Sequence, residues 1–285
     1  MAQKLKGKSA VVTGGGGGIG RGVALALAAE EAKVVVNDVG HDLDGSSLAD
    51  KVVKEIKKSN GTAVANYDSV ATMLGGENII KTAINNFGRI DILVNCAGNF
   101  KSMRTIEMTE NDWDSIIAVH LKGHFSCTKA AVLEMTRQKN GRIINISSRA
   151  AFSSPIPGVP PGSLAYSVAK AGILGFTMML SGELKEYGIT VNAILPSANT
   201  KLFPGTKPRG GDLPGSLSLE PDFVAPIIVY LATDEAQSVT GQFIYASGGD
   251  LCIYARPLQP HMFIRKTGKW TIDELGEVIP SLRLG

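Results

Sequence analysis

Cysteine is scarce in this chain. Cys96, Cys127 and Cys252 are odd in number and far apart, a pattern that builds neither a disulfide framework nor a cysteine metal pair and that suits a reducing, cytoplasmic compartment. Histidine is nearly as thin, at positions 41, 120, 124 and 261. His120 and His124 have the i, i+4 spacing of a helical zinc pair, but no further ligand at metal-site spacing completes the set, so no metal is expected. Excess charge of one sign is missing too: 29 basic residues face 26 acidic ones, for a net +3. With no basic cluster interleaved with aromatics, a nucleic-acid partner is not expected. No apolar run approaches the length of a bilayer span. The opening Met-Ala-Gln-Lys-Leu-Lys leads straight into a strand without the pattern of a signal peptide, so no membrane partner is expected either.

What is present is a strand–helix alternation in a chain that is 44% hydrophobic and 19% charged over 285 residues. Apolar strands are predicted at Ser9–Thr13, Lys33–Asp38, Thr62–Asn66, Asp91–Val94, Arg142–Ser147, Thr190–Leu195 and Gln242–Ala246. Between them lie helical patterns at Gly18–Glu31, Ser46–Ser59, Thr72–Phe87, Thr109–Gln138 (with Thr109 as its cap), Ser163–Tyr187 and Pro221–Ala232. Strands alternating with helices imply right-handed crossovers, a parallel sheet and helices on both faces. Two stretches rich in proline and glycine, Ser153–Gly162 and Pro196–Gly215, break the rhythm after predicted strand ends, where open α/β sheets bind ligands. From Leu251 a tail of different character begins, which divides the chain into residues 1–250 and an extension, 251–285.

Glycine is the abundant special residue, and its placement carries chemistry. Thr13-Gly-Gly-Gly-Gly-Gly-Ile-Gly20 joins the first strand to the first helix. Gly14, Gly18 and Gly20 permit a tight turn and let backbone approach a pyrophosphate at a helix N-terminus; the flanking strand and helix argue against a flexible linker. Asp38 closes the second strand, where a carboxylate accepts from adenine-ribose hydroxyls and repels a 2′-phosphate. No arginine stands at Gly15–Gly17 or Val39 to hold such a phosphate, so NAD is expected over NADP. Far downstream, Tyr166 and Lys170 share one face of a predicted helix, so an ammonium sits beside a phenol and favours its ionised form.

Together these residues resemble the short-chain dehydrogenase/reductase family. The resemblance rests on Thr13-Gly-xxx-Gly-x-Gly20, Asn95-Cys-Ala-Gly98, Ser147-Ser148, Tyr166-xxx-Lys170 and the Pro196 loop, and it covers about residues 5–250. Val34-Val-Val-Asn-Asp38, Ala65-Asn-Tyr-Asp-Ser-Val70, Gly88-Arg-Ile-Asp91, Val119-His-Leu-Lys-Gly123 and Val224-Ala-Pro226 are similar to the hydroxyacyl-CoA dehydrogenase module of peroxisomal multifunctional β-oxidation enzymes. The resemblance implies a single-domain Rossmann-type doubly wound parallel sheet with helices on both faces and a C-terminal extension. It implies Tyr166 as general base in alcohol oxidation and general acid in carbonyl reduction. Lys170 would bind nicotinamide-ribose hydroxyls and, with the positive nicotinamide, favour the phenolate. Ser148 would hydrogen-bond the substrate oxygen. Asp68, with Ser69 beside it, would contact adenine; Asn95, Ala97 and Gly98 would line the cofactor's path; Ile19 would sit in the phosphate turn; and Thr200, after Pro196, would reach the nicotinamide carboxamide or phosphate.

Three departures stand out. His120 takes the place of the family's second asparagine, where it either preserves a proton relay or packs. Ser197 replaces the glycine after Pro196, a change that would stiffen the start of the substrate loop. The interval from Ser148 to Tyr166 is longer than usual; Ser148 is read as catalytic and the proline-rich segment as an insertion, with Ser147 and Ser153 as alternatives. The implied activity is NAD-dependent interconversion of a secondary alcohol and a ketone, on a 3-hydroxyacyl-CoA-like thioester. A cyclic or aromatic alcohol dehydrogenase and a non-catalytic NAD-binding subunit of a hetero-oligomer are the rivals, and a homo-oligomer, dimer or tetramer, is the implied assembly. Arg256, Arg265, Lys266 and Lys269 in the tail are candidates for CoA phosphates.

Overall fold

The computed structural model describes residues 3–152, 164–203 and 219–254, together with Leu275, Glu277 and Val278. Seven parallel strands, β1 (Ser9–Thr13), β2 (Lys33–Asn37), β3 (Thr62–Asn66), β4 (Ile92–Asn95), β5 (Gly141–Ile146), β6 (Ile189–Pro196) and β7 (Phe243–Ser247), form one sheet with an antiparallel edge strand, β8 (Asp250–Ile253). The spatial order is β3-β2-β1-β4-β5-β6-β7-β8. Because β1 pairs with β2 on one side and β4 on the other, the chain reverses its direction of winding at β1. A crevice opens there at the carboxyl ends of the strands.

Alternation along each strand builds two cores. Ala10, Val12, Val34, Val36, Ile92 and Val94 face α1 (Gly18–Ala29), α2 (Leu48–Lys58) and α7 (Ala225–Ala232). Val11, Val35, Leu93, Ile143 and Val191 face α3 (Met73–Phe87) and α5 (Gly123–Gln138) on the other side. Helix starts follow local chemistry: Ser47 and Thr72 cap α2 and α3. Thr109 and Asp112 form a reciprocal capping box at α4 (Glu110–Ile117).

The predicted helix over Thr109–Gln138 is α4 and α5 joined by a π-helical turn, Ala118–Lys122, that contains His120. Such turns concentrate at functional sites. The Pro221–Ala232 pattern divides into a 3₁₀ turn and α7, and β8 extends the sheet past residue 250. Helix α6 (Leu164–Glu183) is long and apolar enough to cross a membrane by length and composition, against the expectation of no such run. Its buried face packs on β6 and carries Tyr166 and Lys170, while Leu164, Val168, Met178 and Met179 on the same helix are exposed. Arg256, Arg265, Lys266 and Lys269 lie outside the described residues, as do Ser153 and the rest of the proline-rich insertion.

Candidate active site

The β1–α1 turn opens the crevice. Gly14 has φ +65°, and a Cβ there would stand 2.8 Å from the Ala97 Cα; a Cβ at Gly20 would stand 2.1 Å from the Gly14 carbonyl oxygen. Glycine at both positions lets the turn close against the end of β4. Thr13 completes the closure, its Oγ1 accepting from the N–H groups of Cys96 (3.0 Å) and Ala97 (3.2 Å). Across from it, the Asp38 carboxylate accepts from the N–H groups of Gly16 (2.9 Å) and Gly40 (2.8 Å), which fixes it at the end of β2.

A cleft of about 620 Å³ runs from this turn to α6. Gly14, Gly18, Ile19, Gly20 and Asp38 line it on one side, Asp68 and Ser69 after β3 extend that side, and Ala97 and Gly98 form the β4 wall. His120, Ser148, Tyr166 and Lys170 line the far part, and Pro196 and Thr200 close over it, the Thr200 methyl lying 3.4 Å from where a Gly18 Cβ would be. Asn95 is the exception. It is buried behind the wall, donating to Thr128 Oγ1 (3.0 Å) and Asn145 Oδ1 (2.9 Å), while Asn145 donates to Thr177 Oγ1 (3.0 Å). That ladder ties α5, β4, β5 and α6 together, so Asn95 braces the scaffold where the sequence placed it on the cofactor's path.

The reacting groups come from β5 and α6. Lys170 Nζ donates to the Ile146 carbonyl (2.6 Å) and Ser147 Oγ donates to the Lys170 carbonyl (2.8 Å), two bonds that lock α6 onto the end of β5. Ser147 is thereby occupied in structure, whereas the Ser148 hydroxyl, which accepts from the Ala150 N–H (3.1 Å), is the serine that acts on the Tyr166 phenol and favours its ionised form. Burial pushes the Tyr166 phenol up to about 12, with the Ser148 bond opposing it, and burial pushes Lys170 down to about 8. Lys170 Nζ stands 5.5 Å from the Tyr166 ring centre. Within the protein alone, burial outweighs the support that Ser148 gives the phenolate.

His120 is buried, and desolvation first, then the Lys170 charge, holds its ring neutral, with a pKa down at about 3. Its Nε2 lies 2.7 Å from the Asn99 carbonyl and 3.2 Å from the Asn99 nitrogen, and the ring meets Tyr166 edge-on at 5.2 Å. The side chain thus braces the segment after β4 and the Tyr166 ring. Phe100 and Phe203 also pack on Tyr166, at 5.3 and 5.5 Å between ring centres. Sequence reasoning missed these two, because single aromatics in loops carry no spacing signal. Ser197, the departure after Pro196, accepts from the Arg149 guanidinium (3.0 Å). Among the described residues no cluster of three metal-ligating side chains occurs.

This fold and this cleft, with its glycine turn and crevice at the strand ends, suit a dinucleotide, and comparison with known proteins specifies the family. The family model described as short chain dehydrogenase matches residues 8–203. The chain is 41% identical over 254 residues to the mouse peroxisomal multifunctional enzyme type 2, an alignment that covers 87% of this chain and 33% of that protein. It is 33% identical over 281 residues to a Mycobacterium tuberculosis protein named hydroxyacyl-CoA dehydrogenase ChsB1, covering 95% of this chain and 87% of that one. A crystal structure of a short chain dehydrogenase from Mycobacterium avium superposes with a TM-score of 0.86 at 39% identity, covering 98% of this chain and 95% of that one. The chain belongs to the short-chain dehydrogenase family. Members of this family are dehydrogenases and reductases that use NAD or NADP. It spans about a third of the length of the mouse multifunctional relative.

Proposed function

We propose that this enzyme uses NAD to interconvert a secondary alcohol and a ketone, with a 3-hydroxyacyl-CoA-like thioester as substrate. The observation that carries the proposal is one continuous cleft that joins a carboxylate-ended β2 to the Ser148–Tyr166–Lys170 cluster. The residues fit a dinucleotide. The glycine turn leaves no room for a Cβ at Gly14 or Gly20, backbone N–H groups at the α1 N-terminus suit a diphosphate, and Asp38 presents fixed acceptors to ribose hydroxyls. When bound, the dinucleotide supplies the hydride-accepting ring and a positive charge beside the phenol. The protein's share is orientation and proton handling. Tyr166 takes the alcohol proton in oxidation and returns it in reduction, Ser148 hydrogen-bonds the substrate oxygen as charge develops, and Lys170 holds nicotinamide-ribose hydroxyls and favours the phenolate. Ala97, Gly98 and Thr200 shape the path between the two ends.

Support for a thioester comes from the hydroxyacyl-CoA dehydrogenase relative, whose alignment covers 95% of this chain. A second reading, a cyclic or aromatic secondary alcohol, is favoured by the aromatic contacts of Phe100 and Phe203 with Tyr166. The homo-oligomeric assembly and the cytoplasmic location are part of the same proposal; sedimentation would test the first and fractionation of the source cell the second. Steady-state turnover on a panel of 3-hydroxyacyl-CoA thioesters and simple cyclic alcohols separates the two substrates. Higher kcat/KM for a thioester is expected, and preference for the cyclic alcohols would select the second reading.

A further inference from the structure

The turn that follows Ser148 is tied to the neighbouring strand ends by the Arg149 side chain. Ser148 caps a 3₁₀ turn, Arg149–Ala151, and its Oγ accepts from the Ala150 N–H (3.1 Å). Arg149 therefore leaves the backbone between the serine and the amide that orients it. Its guanidinium crosses the ends of β6 and β7, donating to Ser197 Oγ (3.0 Å) and lying 5.5 Å from the centre of the Tyr245 ring. Both partners are anchored. Ser197 is buried and its N–H donates to the Ala246 carbonyl (3.0 Å), while Tyr245 is buried in β7 opposite Leu195 of β6. Arg149 is half-buried and lines the cleft beside Ser148. On the other side of Ser148, the Ser147 N–H donates to the Ile194 carbonyl (2.8 Å) and its hydroxyl to the Lys170 carbonyl (2.8 Å). Ser148 is thus pinned through both neighbours, to β6 and α6 before it and to the ends of β6 and β7 after it.

We infer that Arg149, with Ser197 as its acceptor, is a positioning residue that aims the Ser148 hydroxyl at the substrate oxygen. The inference rests on the role of Ser148 in the function proposed above. A serine side chain has several staggered rotamers, so its hydroxyl keeps one direction only where the backbone and the bond that orients it are fixed. A guanidinium suits that task, because its planar fork stacks on an aromatic face and donates along a set direction. Ser197 supplies the acceptor by departing from the glycine that the family resemblance implies after Pro196; a glycine has no side chain to take this bond. The serine at 197 and the arginine at 149 therefore work as a pair. A misplacement of about 1 Å at a reacting contact costs about 10²-fold in rate, so a fastening one residue away from the hydroxyl bears on turnover.

Steady-state oxidation by the full chain, with NAD and the best substrate from the thioester and cyclic-alcohol panel, tests the pair in two backgrounds. Arg149→Met keeps most of the stem and loses the donor and the charge. It is expected to lower kcat about tenfold with KM changed by less than about threefold. Ser148→Ala alone is expected to cost about 10²–10³-fold in kcat. In the Ser148→Ala background, Arg149→Met is expected to add less than about twofold, because the arginine acts through the serine. The pH profile is a second readout, one that general destabilisation would not move. Ser148 favours the ionised phenol, so its displacement in Arg149→Met is expected to shift the rise of oxidation to higher pH. Lys170, His120 and Cys96, which also lie beside the phenol, are the same in both proteins. If Arg149→Met does not fold, as judged by circular dichroism, Ser197→Ala removes the acceptor, with the same pattern expected. An unchanged kcat in the variant, an equal loss in both backgrounds, or an unmoved pH profile would overturn the inference while leaving the proposed function standing. Full turnover by Ser148→Ala, or no turnover of any of these substrates by the wild type, would overturn both.

Discussion

Burial sets the chemistry of single residues at this site. The Tyr166 phenol is held up at about 12 and the Lys170 ammonium down at about 8 because each loses solvation in its charged form. Oxidation needs the phenolate, so its kcat/KM is expected to rise as pH is raised above neutrality. Reduction needs the phenol and is expected to hold through neutrality and fall at the alkaline end. The apparent values belong to the pair. His120, neutral with its pKa at about 3, supplies neither limb. An oxidation rate that falls as pH rises above neutrality would contradict this assignment. The same shifts act on stability. Lys170, with its folded pKa depressed, costs stability below about 8 and costs progressively less as pH rises toward the unfolded value; Tyr166, with its folded pKa raised, loses stability above its unfolded value toward about 12. Tyr166→Phe keeps the ring that packs on His120 and Phe100 but removes the proton-transfer group. Turnover is expected to fall roughly 10²–10⁴-fold while dinucleotide binding survives. If Asp38 sets cofactor choice as proposed, NAD is expected over NADP by at least about tenfold in kcat/KM, or ~1.4 kcal/mol, and Asp38→Ala should narrow the gap. Equal efficiency with the two cofactors in the wild type would remove Asp38 from that role.

At the scale of elements, the buried ladder Thr128–Asn95–Asn145–Thr177 decides how α6 is carried. Asn145→Ala leaves Asn95 with Thr128 alone and removes the amide that donates to Thr177 in the core, an expected loss of about 1–3 kcal/mol. Urea unfolding should show a lower midpoint at unchanged slope; an unchanged midpoint would mean the ladder is dispensable. The strands and most helices were legible because apolar alternation and capping side chains are local signals: Thr109 caps as predicted, and α2 and α3 start within two residues of the predicted Ser46 and Thr72. The π turn at Ala118–Lys122 was not legible, since it changes hydrogen-bond partners without changing residue types. Strand β8 was hidden for a related reason. All four of its residues are exposed, so no buried face imposes an apolar rhythm. At the site, Gly14, Asp38, Tyr166 and Lys170 could be read because their spacing along the chain mirrors their chemistry. The bracing role of Asn95 needed the neighbouring strand and helices, which only tertiary structure brings together.

For the whole molecule, the three cysteines report on three depths of one fold. Cys252 is exposed on β8, Cys96 is half-buried beside the glycine turn, and Cys127 is buried in the core between α5 and the sheet. Burial raises the Cys96 thiol to about 11 and the Cys127 thiol to about 12, so both hold little of the thiolate that reacts with alkylating agents. Iodoacetamide at neutral pH is therefore expected to modify Cys252 first and Cys96 slowly. Adding NAD should slow Cys96 further, because that residue lines the cleft the dinucleotide would fill. Cys127 lies among core side chains that only a large opening can expose, so its labelling rate in increasing urea should track global unfolding. Peptide mapping by mass spectrometry reads all three sites in one experiment. Rapid native labelling of Cys127 would mean that the α3–α5 face opens on its own, and insensitivity of Cys96 to NAD would place the dinucleotide elsewhere. The expected order, with Cys127 last and only Cys96 responding to ligand, is the behaviour of a sheet whose core and cofactor crevice are built by the same strands.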